Sequence, residues 1–218
     1  MTVDLDRFPA NPGEAEREPE RPARRPAVGC LIEIVETLVL TLIIFWIIQS
    51  FVAQPFRVQM LSMQHTLEPD QYVLVDRLSP RWDAYKRGDV VVFAPPASWP
   101  ASRGEPFIKR VIGVGGDTIE IRDGSVFVNG IRLVEPYVFQ EDGVTQATDV
   151  LNGVDRWIIP DGQLFLMGDH RSNSSDSREG GPVDVSTVIG RAWLRYWPID
   201  SFSILQTPTH PELATPGP

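Results

Sequence analysis

Residues 118–131 run Thr118-Ile119-Glu120-Ile121-Arg122-Asp123-Gly124-Ser125-Val126-Phe127-Val128-Asn129-Gly130-Ile131. Two short β-branched and aromatic segments, 118–121 and 125–128, each end in a pair suited to a tight hairpin turn. Asp123-Gly124 and Asn129-Gly130 tolerate the positive φ that such turns demand. The same grammar recurs outward from this stretch. Tyr72-Val73-Leu74-Val75, Val90-Val91-Val92-Phe93 and Leu164-Phe165-Leu166-Met167 are short, apolar and bounded by Gly, Pro, Asp or Asn. No long stretch after Phe56 carries sustained helical periodicity, and there is no internal repeat. The expectation is a mainly β domain over residues 57–205, closed or sandwiched, with a flexible Pro- and Thr-rich tail over 206–218.

Upstream the chain changes character. Residues 1–27 hold five prolines and eleven charges. That leaves almost nothing to bury, so a disordered tail is expected. From Thr37 to Phe56 there are twenty residues without a charge. As a helix this run is about 30 Å long, enough to cross a bilayer core. Glu33 and Glu36 sit at its entrance and Pro55 marks its exit, giving a transmembrane anchor over 28–56 in contact with lipid. Arg17, Arg21, Arg24 and Arg25 precede the run, and only Arg57 follows closely. The positive-inside rule then puts the N-terminus in the cytoplasm and the β domain on the far side of the plasma membrane, on a single pass. The run is too long for a cleaved signal peptide, and Phe51-Val52-Ala53 is a poor cleavage site. Ala27-Val28-Gly29-Cys30 suggests a lipoprotein signal, but its apolar segment follows the cysteine instead of preceding it.

The formal net charge of -9 argues against a nucleic-acid partner. Cys30 is the only cysteine, so neither a disulfide framework nor a cysteine metal site is available. The acidic residues show no metal-ligand spacing. Gly113-Val114-Gly115-Gly116 lacks the spacing and the following helix of a phosphate loop. No cofactor or metal is expected.

The positive charges are lopsided: eighteen arginines against two lysines, Lys86 and Lys109. Lys109 lies inside the apolar run Phe107-Ile108-Lys109-Arg110-Val111-Ile112. Arginine keeps its proton in a protein, whereas a desolvated lysine can give it up and act as a base near neutral pH. The alternative is a lysine snorkelling from an edge strand, with Arg110 on the opposite face. Ser62, in Met60-Leu61-Ser62-Met63-Gln64-His65-Thr66-Leu67, is either a small buried residue or a nucleophile, and a nucleophile needs an adjacent base. Directly after an apolar strand comes Gly168-Asp169-His170-Arg171-Ser172-Asn173-Ser174-Ser175-Asp176-Ser177-Arg178. Such a polar, turn-prone loop is either plain surface or a device for positioning hydroxyls and amides. Asp176 and Arg178 are spaced for a local ion pair. His170, next to Asp169, offers a rival Ser–His pairing for Ser62.

These stretches, in this order, resemble the bacterial type I signal peptidases. The resemblance rests on Ser62-Met63-Gln64-His65-Thr66-Leu67, Arg87 to Phe93, Lys109-Arg110-Val111-Ile112-Gly113, Gly168 to Arg178, and Ile189-Gly190-Arg191-Ala192 with Trp197-Pro198. It covers residues of about 30 to 200. It implies a signal-peptidase-like all-β catalytic domain on one N-terminal transmembrane helix. It also implies a serine endopeptidase in which Ser62 attacks the cleavage-site carbonyl of an exported preprotein and neutral Lys109 takes its proton. Ser174 would hydrogen-bond the lysine. Asp176 and Arg178 would form an ion pair behind it, and Asp169 and Arg110 would be supporting charges. Substrates would bind extended beside Ser62, with small residues at the first and third positions before the cut. The chain departs from the family pattern at Met60 and Leu61, where small residues are usual, at His65, where a proline is usual, and at His170, where an asparagine is expected. Met60 cannot supply the second oxyanion donor that a hydroxyl at its position gives some members. A weakened homologue that binds exported chains or a partner at the membrane is the alternative reading.

Overall fold

The computed structural model describes residues 27–99, 102 and 104–214. The described chain forms two compact units, divided between Ile43 and Ile44. Apart from Ala27, the tail expected over 1–27 lies outside the described residues.

The first unit holds most of a helix, α1 (Ala27–Ile47). At about 1.5 Å per residue its 21 residues span about 31 Å. Its stretch Gly29–Ile47 is long and apolar enough to cross a membrane. Leu31, Ile32, Ile34 and Leu40 point to different sides of the helix and are each more than half exposed, so the helix presents apolar side chains around most of its circumference. Thr37 and Thr41 do not spoil that surface. Their hydroxyls donate to the carbonyls four residues back, Glu33 O at 2.8 Å and Thr37 O at 2.7 Å.

The helix does not follow the uncharged run to Phe56. It ends at Ile47, loosens into a π-helical turn over Ile48–Val52, and gives way to a strand, β1 (Ala53–Arg57). Pro55 is the reason. It has no N–H for a helix and pushes Gln54 into extended backbone, yet it is tolerated at a sheet edge. Residues 53–56, expected as the end of the anchor, therefore belong to the β domain.

That domain is antiparallel throughout. Its strands are β1, β2 (Tyr72–Asp76), β3 (Val90–Phe93), β4 (Phe107–Val114), β5 (Thr118–Arg122), β6 (Ser125–Val128), β7 (Ile131–Arg132), β8 (Gln140–Glu141), β9 (Val144–Thr145), β10 (Arg156–Ile158), β11 (Gln163–Met167), β12 (Val183–Asp184), β13 (Val188–Trp197) and β14 (Ser203–Ile204). The main sheet has the order β1-β2-β13-β3-β4-β11-β12, with β14 paired to β13. A smaller sheet runs β10-β5-β6-β7, and β8 and β9 form a separate pair. The two expected hairpins are present, with Asp123 and Gly124 at φ 48° and 70°, and Asn129 and Gly130 at 53° and 81°.

The main sheet is covered on both faces, which is why β3 reads as an unbroken apolar run. Val90 and Val92 pack with Met63, Leu67 and Val73 on one face. Val91 and Phe93 pack with Trp99, Val111 and Leu166 on the other. A third cluster, with Ile112, Ile119, Val126 and Phe165, joins the small sheet to β4 and β11.

The flexible tail expected over 206–218 is not what residues 206–214 form. Leu205 N–H donates to Trp193 O, and Thr207 Oγ1 donates to Asp89 Oδ1 at 2.7 Å. Pro208 lies over Gly88, where a Cβ would come within 2.9 Å of Pro208 Cδ. Glu212 accepts from Val134 N–H, and Leu213 packs against the third cluster. Proline and threonine serve here as packing and hydrogen-bonding groups; residues 215–218 lie outside the described residues.

Candidate active site

Ser62 sits in a single 3₁₀ turn, Leu61–Met63, in the connection between β1 and β2. The turn is pinned from two sides. Met63 is fully buried in the core. The Ser62 carbonyl accepts from His170 N–H at 3.0 Å, tying the turn to the loop after β11. Met60 and Leu61, the residues just before, are 52% and 42% exposed. His65 has φ 86°, a left-handed value that proline cannot adopt, so the turn differs in kind from one built on a proline.

Lys109 projects from β4. It pairs with Val91 of β3 and is buried, so the alternative of a lysine snorkelling into solvent does not apply. Lys109 is 2% exposed, and its Nζ lies 2.6 Å from Ser62 Oγ. Burial strips water from the ammonium and pulls its pKa down to about 8, helped by Arg178 and opposed by the Asp176 and Asp169 carboxylates. No carboxylate touches Nζ among the described residues.

Arg110, one residue on, faces the other way into a closed network. Its Nε and Nη2 donate to Asp169 at 2.8 and 2.6 Å, and Nη1 donates to Gly88 O at 2.8 Å. Thr66 Oγ1 donates to the same carboxylate at 2.5 Å. The guanidinium stacks 4.0 Å over the Tyr137 ring.

The loop 168–178 forms the back of the site. Asp176 caps the short helix α2 (Ser177–Gly180) and accepts from Arg178 Nε and Nη2 at 2.9 Å each and from Gly168 N–H at 3.1 Å. Burial alone would push the Asp176 carboxyl up, but Arg178 and the Gly168 amide hold it below the usual range. Ser174 borders a small depression of about 210 Å³ together with Ser62, Lys109 and Asn173. Its hydroxyl stands near enough to Asp176 to favour the ionised carboxylate, yet it is buried without a hydrogen bond of ordinary geometry. The Ser174–Lys109 bond implied by the resemblance is thus not made; the hydrogen bond of Lys109 Nζ goes to Ser62.

The structure brings together Ser62, Lys109, Ser174, Asp176 and Arg178, with Asp169 and Arg110 in the adjoining network. Sequence reasoning passed over Gly168 and Arg171. A Cβ at Gly168 would overlap Ser174 Oγ and the Ser62 carbonyl, so only glycine allows the loop to approach the Ser62 turn. Arg171 is buried, donating to Gly168 O at 3.0 Å and to Glu135 and Thr148. Its place in the polar loop was visible, but its partner Glu135 carried no local signal. The rival histidine is occupied elsewhere. The His170 ring stacks on Phe139 at 4.2 Å between centroids and makes no hydrogen bond to Ser62 among the described residues.

A cleft of about 590 Å³ leads up to the pair, its floor formed by Val73, Val92 and Ile108. One wall is 55–60 and the other 105–108. Both present unpaired strand edges. β1 pairs only with β2, and β11 ends at Met167 opposite Arg110, leaving the start of β4 open on that side among the described residues.

A profile of the family described as signal peptidase, peptidase S26, matches residues 31–197. Over 190 residues the chain is 31% identical to a probable signal peptidase I-2 of Synechocystis sp., covering 87% of this chain and 84% of that one. It is 31% identical over 182 residues to signal peptidase IB of Staphylococcus aureus, covering 79% and 92%. The crystal structure of a signal peptidase I from Enterococcus faecalis V583 is 30% identical, covers 50% of this chain and 97% of that one, and superposes with a TM-score of 0.37.

Proposed function

The chain belongs to the signal peptidase family, peptidase S26, and on that premise we propose that it removes signal peptides from exported preproteins with Ser62 as nucleophile and Lys109 as general base. The observation that carries the mechanism is a lysine amine 2.6 Å from a serine hydroxyl in a desolvated setting. An amine with pKa near 8 is neutral in an accessible pH range, so its lone pair can accept the Ser62 proton. Ser62 Oγ then attacks the scissile carbonyl carbon. The developing oxyanion is met by Ser62 N–H, which lies in the first turn of its helix and has no intrahelical acceptor. Lys109 returns the proton to the leaving amine, and the acyl group stays on Ser62. Water, deprotonated by the same amine, attacks the ester and frees the enzyme.

The substrate lies extended in the cleft and extends the sheet across the open edges of β1 and β4. Alternate side chains of an extended chain share a face, so the first and third residues before the cut both point at the apolar floor. Small side chains fit there. The helix α1 spans the plasma membrane with its N-terminus in the cytoplasm, supported by its length, its exposed apolar surface and the arginines before it. The intact Ser62–Lys109 contact speaks against a silent homologue, since a binding-only descendant has no use for a buried, unpaired lysine.

The test is cleavage of a preprotein with an Ala-x-Ala ending by the detergent-solubilised chain, from about pH 6 to about pH 10. Wild type should cut; Ser62→Ala and Lys109→Arg should each lose about 10⁴-fold or more. Full activity in Lys109→Arg would remove lysine from the mechanism.

A further inference from the structure

The two walls of the cleft converge on Ser62 and Lys109, and their far ends differ in charge. On one wall Arg57 is held by Asp70, whose Oδ1 accepts from Nε at 3.2 Å and Nη2 at 2.7 Å. That end carries no net charge. On the other wall stands Glu105, exposed and without a hydrogen bond or ion pair among the described residues. Of the other cleft residues only Lys109 is ionisable, and it is the amine that must be neutral for reaction. Among the described residues, the far end of the cleft therefore carries one negative charge without a partner. Glu105 precedes Lys109 by four residues in extended chain, about 13 Å at about 3.3 Å per residue. A substrate strand alongside covers that distance in about four residues.

We propose that Glu105 is a specificity residue for the stretch four to five positions before the cut, favouring preproteins with a basic or neutral side chain there and disfavouring aspartate or glutamate. This rests on the Ser62–Lys109 reading and on the residues before the cut occupying this cleft. Because the mouth is open to solvent, the preference is moderate: roughly three- to tenfold in kcat/KM between lysine and glutamate at that position. It fades as salt rises, since screening acts over about 8 Å at physiological ionic strength.

The experiment uses the full chain in detergent and peptides with one Ala-x-Ala ending that differ only in carrying Lys, Gln or Glu four or five positions before the cut. A matched set carries the same changes after the cut. The lysine-to-glutamate ratio should be roughly three to ten in the first set and about one in the second. It should collapse in Glu105→Gln and invert in Glu105→Lys. A ratio unmoved by Glu105→Lys, or one confined to the second set, overturns the proposal. If wild type fails to cut even the Gln peptide, the Ser62–Lys109 reading is what fails, and this inference falls with it.

Discussion

Lys109 and Arg110 are consecutive residues on one strand, each 2% exposed, and they live in opposite electrostatic worlds. Arg110 faces a side of β4 where its donors meet Asp169, Gly88 and Thr66. Lys109 faces a side where the only hydrogen-bonding partner among the described residues is a neutral hydroxyl. A buried cation with a matched carboxylate holds structure in place. A buried cation denied one is pushed toward its neutral form, and neutrality is what proton abstraction requires. The nearby carboxylates are not missing. Asp169 and Asp176 are both fully buried close by, but each is engaged by an arginine.

The sharpest way to break this contrast is Lys109→Met, expected to lower cleavage about 10⁴-fold while making the fold more stable. The sign follows from linkage. The folded amine loses its proton near pH 8, whereas an unfolded lysine keeps it to its ordinary 10.5. Between those values the unfolded chain binds the extra proton, so stability rises with pH across that window; below about 8 the folded state carries the full cost of a buried ammonium. Removing it should gain up to about 3 kcal/mol at pH 7, read by urea unfolding. A loss of stability would mean that Lys109 is better solvated than its burial indicates.

Arg110→Met should do the reverse, costing about 3–5 kcal/mol by leaving the Asp169 carboxylate buried and unpaired. Adding Asp169→Leu should restore much of that stability. Non-recovery in the double variant would show that the network orients Thr66 and the Ser62 turn through more than charge balance.

The smallest effect is on the pH profile. Activity should rise with pH to a midpoint near 8 as Lys109 deprotonates. Asp176 favours the ammonium, so Asp176→Asn should move the rising limb to lower pH, by about half a unit, in kcat/KM measured while the variant remains folded. An upward move would contradict the assignment of that limb to Lys109.

Much of this was legible in the sequence, for reasons that differ by element. The hairpins of β5, β6 and β7 were visible because Asp-Gly and Asn-Gly fix the turns locally. Lys109 stood out because the chain uses arginine nearly everywhere else. β13 was not recognised as a strand, although it is the longest. Its register shifts between Ala192 and Leu194 and again between Arg195 and Trp197, and such bulges scramble the inside–outside alternation that marks a strand. Pro55 was seen as the end of the anchor, but its compatibility with an edge strand depends on residues 53–57 pairing with β2, a contact that no local pattern reveals. The tail was misjudged because composition reports flexibility only where nothing waits to receive the chain; here Gly88 and Asp89 do. Glu135 and Arg171 meet across 36 positions, beyond any local signal.

The place of β13 in the sheet has a consequence for how the enzyme comes into being. Ser62 lies in the β1–β2 connection and Lys109 on the β3–β4 hairpin, and β13 is the strand that separates and joins these two hairpins. Neither hairpin can find its final neighbour until residues 188–197 have been made. Ser62 and Lys109 are thus kept apart throughout most of synthesis. A signal-peptidase chain of this topology cannot assemble its Ser62–Lys109 pair until its own late strand closes the sheet, so the fold itself sets the moment at which the site exists.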